Sequence, residues 1–162
     1  MLGYQQAKQR IFRGAGIAVF NYDDILTRPL SRDGLKEVGF GLNALSPQDY
    51  GLKQIGVKEY IVKGSEPIIA IEDIRLQGRH NVFNVMAAMA IGEAAGFSLE
   101  AMIAVIRKFS GLEHRCRRVI EKDGVIYVND SKATNVGATV AAVKGLKAVS
   151  YTHLTLPTKC WV

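Results

Sequence analysis

Between Val125 and Leu146 the chain passes from an apolar run, Val125 to Asn129, through a polar loop, Asp130 to Asn135, into helix-forming residues from Val136. A strand that feeds directly into a loop and a helix is the half-unit from which α/β sheets are assembled, so the expected fold class is α/β. The loop lies at the C-terminal end of its strand, where free backbone N–H groups at a helix N-terminus converge on anionic ligands. Its side chains suit that role. Lys132 brings a point charge for phosphate or carboxylate, Asp130 can hold a ribose hydroxyl, a metal-bound water or the lysine itself, and Thr134 can donate from its hydroxyl. The same residues also describe a capped helix, with Asp130 or Thr134 as N-cap and Lys132 in solvent. Spacing alone leaves both readings open.

The preceding residues alternate in the same way between apolar runs and turn formers. Leu2, Ala7, Ile11 and Phe12 have roughly helical spacing and predict a helix over 2–13, closed by Gly14 and Gly16. Ile17 to Asn21 reads as a buried strand that ends in Asn21, Asp23 and Asp24. From Arg28 to Pro67 short strand candidates, Val38 to Leu42 and Tyr60 to Lys63, lie among Gly, Pro and Asn, which predicts an irregular β-rich lobe. Pro67 to Leu76 reads as another strand, and Gly78 to Asn81 as a polar turn before a small-residue helix, Val82 to Ala95, capped by Gly96. Ser98 opens a further helix, Leu99 to Phe109, whose Met102, Ile103, Ile106 and Phe109 share a face. Ser110 to His114 breaks the helical pattern. Arg117 to Glu121 and Val125 to Asn129 then form a hairpin around Asp123-Gly124, and a helix is expected from Val136 to Leu146. The final Thr-rich stretch, 149–162, fits none of this and looks like a translated sequencing adaptor, a non-native tail excluded from fold reasoning.

Composition removes several function classes. The net charge of +6 raises the question of nucleic acid, yet the basic residues are dispersed. The densest cluster, Arg115, Arg117 and Arg118, has no interleaved aromatics. No nucleic-acid partner is expected. Asn84, Gly92 and Glu93 interrupt the longest apolar stretch, well short of the roughly 20 residues that span a bilayer. No membrane span is expected, and with no secretory signal after Met1 the expected location is the cytoplasm. Cys116 and Cys160 have no partner at disulfide or metal-ligand spacing and read as reduced thiols.

The string Asn129-Asp130-Ser131-Lys132-Ala133-Thr134-Asn135, with Gly111-Leu112-Glu113-His114-Arg115 and Gly78-Arg79-His80-Asn81 before it, resembles the Mur ligase superfamily, and within it the D-glutamate-adding members. The resemblance covers residues 4 to about 148 in the family's order and approximate spacing. It implies the second half of a central ATPase domain over 1–109, a hinge over 110–114, and the start of a Rossmann-like C-terminal domain over 115–148. It also implies an ATP-dependent ligase that joins D-glutamate to UDP-N-acetylmuramoyl-L-alanine through an acyl phosphate, with ATP and Mg²⁺ as cofactors and a monomeric enzyme.

Residue by residue, Tyr4-Gln5-Gln6-Ala7-Lys8 is similar to the helix whose lysine is carbamylated, which makes Lys8, as a carbamate, a ligand for Mg²⁺. Without the resemblance Lys8 is a plain surface lysine. Asn81 resembles the residue that contacts the nucleotide's adenine or ribose, with Asn84 in support; its alternative is an N-cap. His80 is read as structural. Arg115 resembles an arginine that reaches the ATP phosphates on domain closure, Asp130 and Lys132 the residues that meet the nucleotide across the cleft, and Thr134 a contact to the incoming amino acid. His114 receives no role. No GxxGKS or GxxGKT loop occurs, so by itself this polypeptide is expected to be inactive. Two alternatives stand beside this reading. One is another Mur-type or folylpolyglutamate-type amino-acid ligase, against which the 129–135 loop argues; the other is a non-catalytic nucleotide-binding module.

Overall fold

Five strands make the main sheet, in the order β1 (Ile17–Asn21), β2 (Lys36–Phe40), β3 (Tyr50–Ile55), β4 (Lys58–Lys63) and β5 (Glu66–Ala70). β1, β2 and β3 run parallel, whereas β3, β4 and β5 form an antiparallel meander. The result is a mixed α/β arrangement, as the sequence led one to expect. The computed structural model describes residues 2–76, 78–115, 117–134, 136–137 and 139–140. The chain divides into two compact units, one of residues 1–75 with 81–109 and the other of residues 76–80 with the chain from Ser110 onward.

In the first unit the core lies between the sheet and helix α2 (Arg79–Ala94), α1 (Leu2–Gln9) being the preceding helix. Val82, Val85, Met86, Met89 and Ala90 of α2 are buried, the i, i+3, i+4, i+7 stripe of a helix that covers a sheet. Ala18, Phe20, Val38, Tyr50, Ile61, Val62 and Ile69 supply the sheet's side of the core. Each large side chain so buried contributes about 1.5–3 kcal/mol. The helix ends where Gly96 takes a φ of 85°, a left-handed conformation that only glycine adopts at no cost. This lets Gly96 N–H donate to Glu93 O and Phe97 N–H to Gly92 O, both at 2.9 Å, which satisfies two terminal carbonyls in a Schellman motif. Helix α3 (Leu99–Lys108) starts with the Ser98 hydroxyl accepting from the Ala101 N–H at 3.3 Å.

The second unit contains the hairpin β6 (Arg117–Lys122) and β7 (Val125–Asn129). Asp123 and Gly124 have φ of 53° and 74°, the paired positive values of the tight turn that an Asp-Gly sequence favours.

Several boundaries differ from the sequence expectation. The helix over 2–13 is α-helical only to Gln9 and tightens to a 3₁₀ turn at Arg10–Phe12. β3 was absent from the sequence reading because Tyr-Gly-Leu-Lys-Gln-Ile has few β-branched residues and no clean alternation. β5 stops at Ala70, where Ile71–Asp73 turns, instead of running to Leu76. The expected turn at 78–81 is partly helix, since α2 starts at Arg79. The helix expected over Val136 to Leu146 is seen as helical backbone at Val136, Gly137, Thr139 and Val140. Its remainder, the tail over 149–162 and both cysteines lie outside the described residues.

Candidate active site

The loop that follows β7 is built by side chains on either side of it. Asn129, the last residue of β7, uses its Oδ1 to accept from the Ser131 N–H at 3.1 Å, while its Nδ2 faces Nδ1 of His114 at 3.2 Å. The Lys132 N–H donates to the His114 carbonyl at 3.0 Å, and the Ala133 N–H to the Asp130 carbonyl at 2.9 Å. The segment entering the second unit is thereby tied to the loop leaving β7. His114 holds a φ of 64°, a conformation that costs a non-glycine residue energy and persists where its surroundings enforce it.

Within the loop the backbone N–H groups of Ser131, Lys132 and Ala133 each have an acceptor in the same unit, so at these three positions it is the side chains of Ser131 and Lys132 that remain to meet an anion. Lys132 and Thr134 are exposed and Asp130 is half-buried, which keeps the lysine ammonium and the threonine hydroxyl open to solvent. Arg115 is exposed, its own N–H bonded to Leu112 O at 3.3 Å. Next to it Arg117 pairs with Glu113 at 2.5 Å and Arg118 with Glu121, so two members of the basic cluster are engaged by carboxylates.

The remaining site residues belong to the first unit. Lys8 lies in the last turn of α1 and is exposed. Asn81 is half-buried as the third residue of α2 and accepts at its Oδ1 from Asn84 Nδ2 at 3.3 Å. The N-cap alternative for Asn81 is thus set aside, because the helix has already begun two residues earlier. His80 is likewise inside its first turn. Sequence reasoning missed Asn129 as more than the end of a strand and gave His114 no role; nothing in the local pattern announces a pairing across fifteen residues. Among the described residues no group of three or more His, Cys, Asp or Glu side chains could hold a metal ion. Among the same residues no helix is long and apolar enough to cross a membrane.

A mixed α/β unit, with a second unit whose strand-end loop carries an exposed lysine, defines an α/β protein. Comparison with known proteins narrows the class. The Mur ligase middle domain matches residues 1–92, and the chain belongs to the Mur ligase family. A UDP-N-acetylmuramoylalanine–D-glutamate ligase of Psychrobacter arcticus is 47% identical over 150 residues, 92% of this chain and 32% of that protein. One of Marinobacter nauticus is 48% identical over 145 residues, 90% of this chain and 32% of that protein. The chain thus spans about a third of the length of the curated relatives it matches. Among solved structures, a UDP-N-acetylmuramoyl-L-alanyl-D-glutamate–2,6-diaminopimelate ligase matches with a TM-score of 0.56 at 25% identity, covering 74% of this chain and 27% of that one. MurF from Acinetobacter baumannii matches with a TM-score of 0.62 at 20% identity, over 89% of this chain and 32% of that one, a likeness of fold.

Proposed function

We propose that this chain is part of an ATP-dependent ligase that adds D-glutamate to UDP-N-acetylmuramoyl-L-alanine in peptidoglycan synthesis, a monomeric enzyme of the cytoplasm. The observation that carries the proposal is identity of nearly one half, over nine-tenths of this chain, to proteins named for that reaction. On this reading residues 1–109 are the second half of the ATP-binding domain, 110–114 the hinge, 115–148 the start of the C-terminal Rossmann-like domain, and 149–162 a non-native tail.

ATP supplies the γ-phosphoryl group and Mg²⁺ the positive charge that lets a carboxylate attack it. The carboxylate of the L-alanyl group bonds to the γ-phosphorus as the bond to the ADP oxygen breaks. The amine of D-glutamate then displaces phosphate from the resulting acyl phosphate and loses a proton as the amide forms. Asn81 seats the nucleotide, and its in-helix bond from Asn84 sets the direction of its amide. Arg115 and Lys132 offset phosphate charge, Asp130 orients the lysine or a ribose hydroxyl, and Thr134 donates to the incoming amino acid.

Lys8 takes the remaining role: the residue is exposed in the last turn of α1, and a carbamate would give it an anionic oxygen suited to a hard cation. The described residues offer that cation no cluster of their own, and Lys8, as a carbamate, would supply it with one oxygen ligand. The test is Lys8→Ala in a full-length enzyme that contains this segment. Most activity should be lost, and short carboxylates added to the buffer should restore part of it. Activity within about twofold of the parent at saturating ATP and Mg²⁺ would mark Lys8 as an ordinary surface residue, whose replacement costs at most about 0.5 kcal/mol.

A further inference from the structure

The loop after β7 and the segment that leads into β6 share a latch whose polarity can be worked out. Asn129 Oδ1 is committed to the Ser131 N–H at 3.1 Å, which fixes the amide's orientation, because reversing it would turn an N–H₂ group toward another donor. The Nδ2 group therefore faces His114 Nδ1 at 3.2 Å and can only donate. Nδ1 must then be the unprotonated nitrogen and the proton must reside on Nε2. The His114 carbonyl receives the Lys132 N–H at 3.0 Å, so one residue is held at its ring by the end of β7 and at its backbone by the loop. The residue holds this double attachment at a φ of 64°, and Arg115 follows directly in the chain.

We infer that Asn129 and His114 form a positioning pair that holds the Arg115 backbone and the Asp130–Lys132 loop as one preassembled body. This rests on the ligase reading above, and it adds that these groups reach the nucleotide together on closure instead of being collected one at a time. Neither Asn129 nor His114 needs to touch substrate. Their effect passes through the side chains they place, and a displacement of about 1 Å in such groups can cost on the order of a hundredfold in rate.

The experiment uses a full-length D-glutamate ligase carrying this segment, with Asn129→Ala, His114→Asn and the double variant. Asparagine is chosen at 114 because it tolerates a positive φ. Each single variant should lower kcat by roughly tenfold or more while the KM for ATP moves less than about threefold. The double variant should be no worse than the poorer single one, the mark of a shared function. Folded variants with parental kcat and only a lower melting temperature, or losses that multiply in the double variant, would overturn the inference.

Nitrogen-15 spectra at about pH 8, where an ordinary histidine is neutral, give a second readout independent of turnover. The parent should show His114 Nδ1 unprotonated, and Asn129→Asp, which keeps the acceptor for Ser131 but removes the donor, should place the proton on Nδ1. A parent with the proton already on Nδ1 contradicts the latch. A parent that fails to ligate D-glutamate contradicts the ligase reading instead, and the spectra then decide the latch by themselves.

Discussion

At the scale of single residues, the group under most constraint is one that local sequence does not reveal. Asp49 is 1% exposed and accepts from Gly39 N–H at 2.8 Å, Ser46 N–H at 2.8 Å, Ser46 hydroxyl at 2.6 Å and Tyr22 hydroxyl at 3.0 Å. Four donors from three segments stand in for the water that a buried carboxylate would otherwise lose. Gly39 belongs to the same arrangement: a Cβ there would lie 2.0 Å from Tyr22 Cε2, so only glycine lets the tyrosine ring lie across β2 toward Asp49. Burial first, then the hydrogen bond and negative charge of Asp49, push the Tyr22 phenol up to about 12. Asp49→Asn turns one carboxylate oxygen into a donor aimed at donors and should cost about 1–3 kcal/mol. Chemical denaturation would detect this as a lower midpoint at unchanged slope, and an unchanged midpoint would mean the four contacts are dispensable. In sequence, Ser-Pro-Gln-Asp is an ordinary turn, and the partners that set Asp49 apart come from positions 22 and 39.

Among secondary elements, those with a strong local signature were legible and those dependent on distant partners were not. The Asp-Gly hairpin, the Ser98 cap and the Gly96 stop carry their own physics in two or three residues, and each lies where the sequence puts it. β3 instead owes its existence to β4, with which it pairs from Tyr50↔Lys63 to Ile55↔Lys58. α2 is joined to this pair of strands by a polar tie. Tyr50 donates to Glu93 at 2.8 Å, and Lys63 pairs with the same carboxylate. Burial alone would raise the Glu93 carboxyl, but the hydrogen bonds from Lys63 and Tyr50 and the charges of Lys63 and Lys36 together outweigh it and lower it below its usual value.

The sign of the pH effect follows from that lowering. A carboxyl depressed in the folded state favours folding above its unfolded value, roughly pH 4.3, and loses that contribution as pH falls through the folded value. Glu93→Gln should therefore flatten the stability profile below about pH 4.5 while changing its shape little above pH 6. The check is a series of thermal melts from pH 3 to 7 on both proteins. Parallel profiles across the acid range would remove Glu93 from the account.

Across the whole molecule, the family was legible because its signals are short strings: the 129–135 loop, the Gly111–Arg115 turn and the Gly78–Asn81 turn. How the loop is built was not legible, since its amides are occupied by Asn129, His114 and Asp130, partners that only the folded unit supplies. The site residues are also shared out, with Lys8 and Asn81 in the first unit and Arg115, Asp130, Lys132 and Thr134 in the second. On the proposed reading, catalysis needs both units within a complete enzyme. The most direct measurement is made on a chimera in which residues 4–148 replace the matching segment of the Psychrobacter arcticus relative. Phosphate release is followed with ATP, Mg²⁺ and UDP-N-acetylmuramoyl-L-alanine while D-glutamate, L-lysine or diaminopimelate is offered as the acceptor amine. We expect release that depends on D-glutamate, within about tenfold of the relative's own rate. A folded chimera that shows no D-glutamate-dependent release, or that prefers another amino acid, would contradict it.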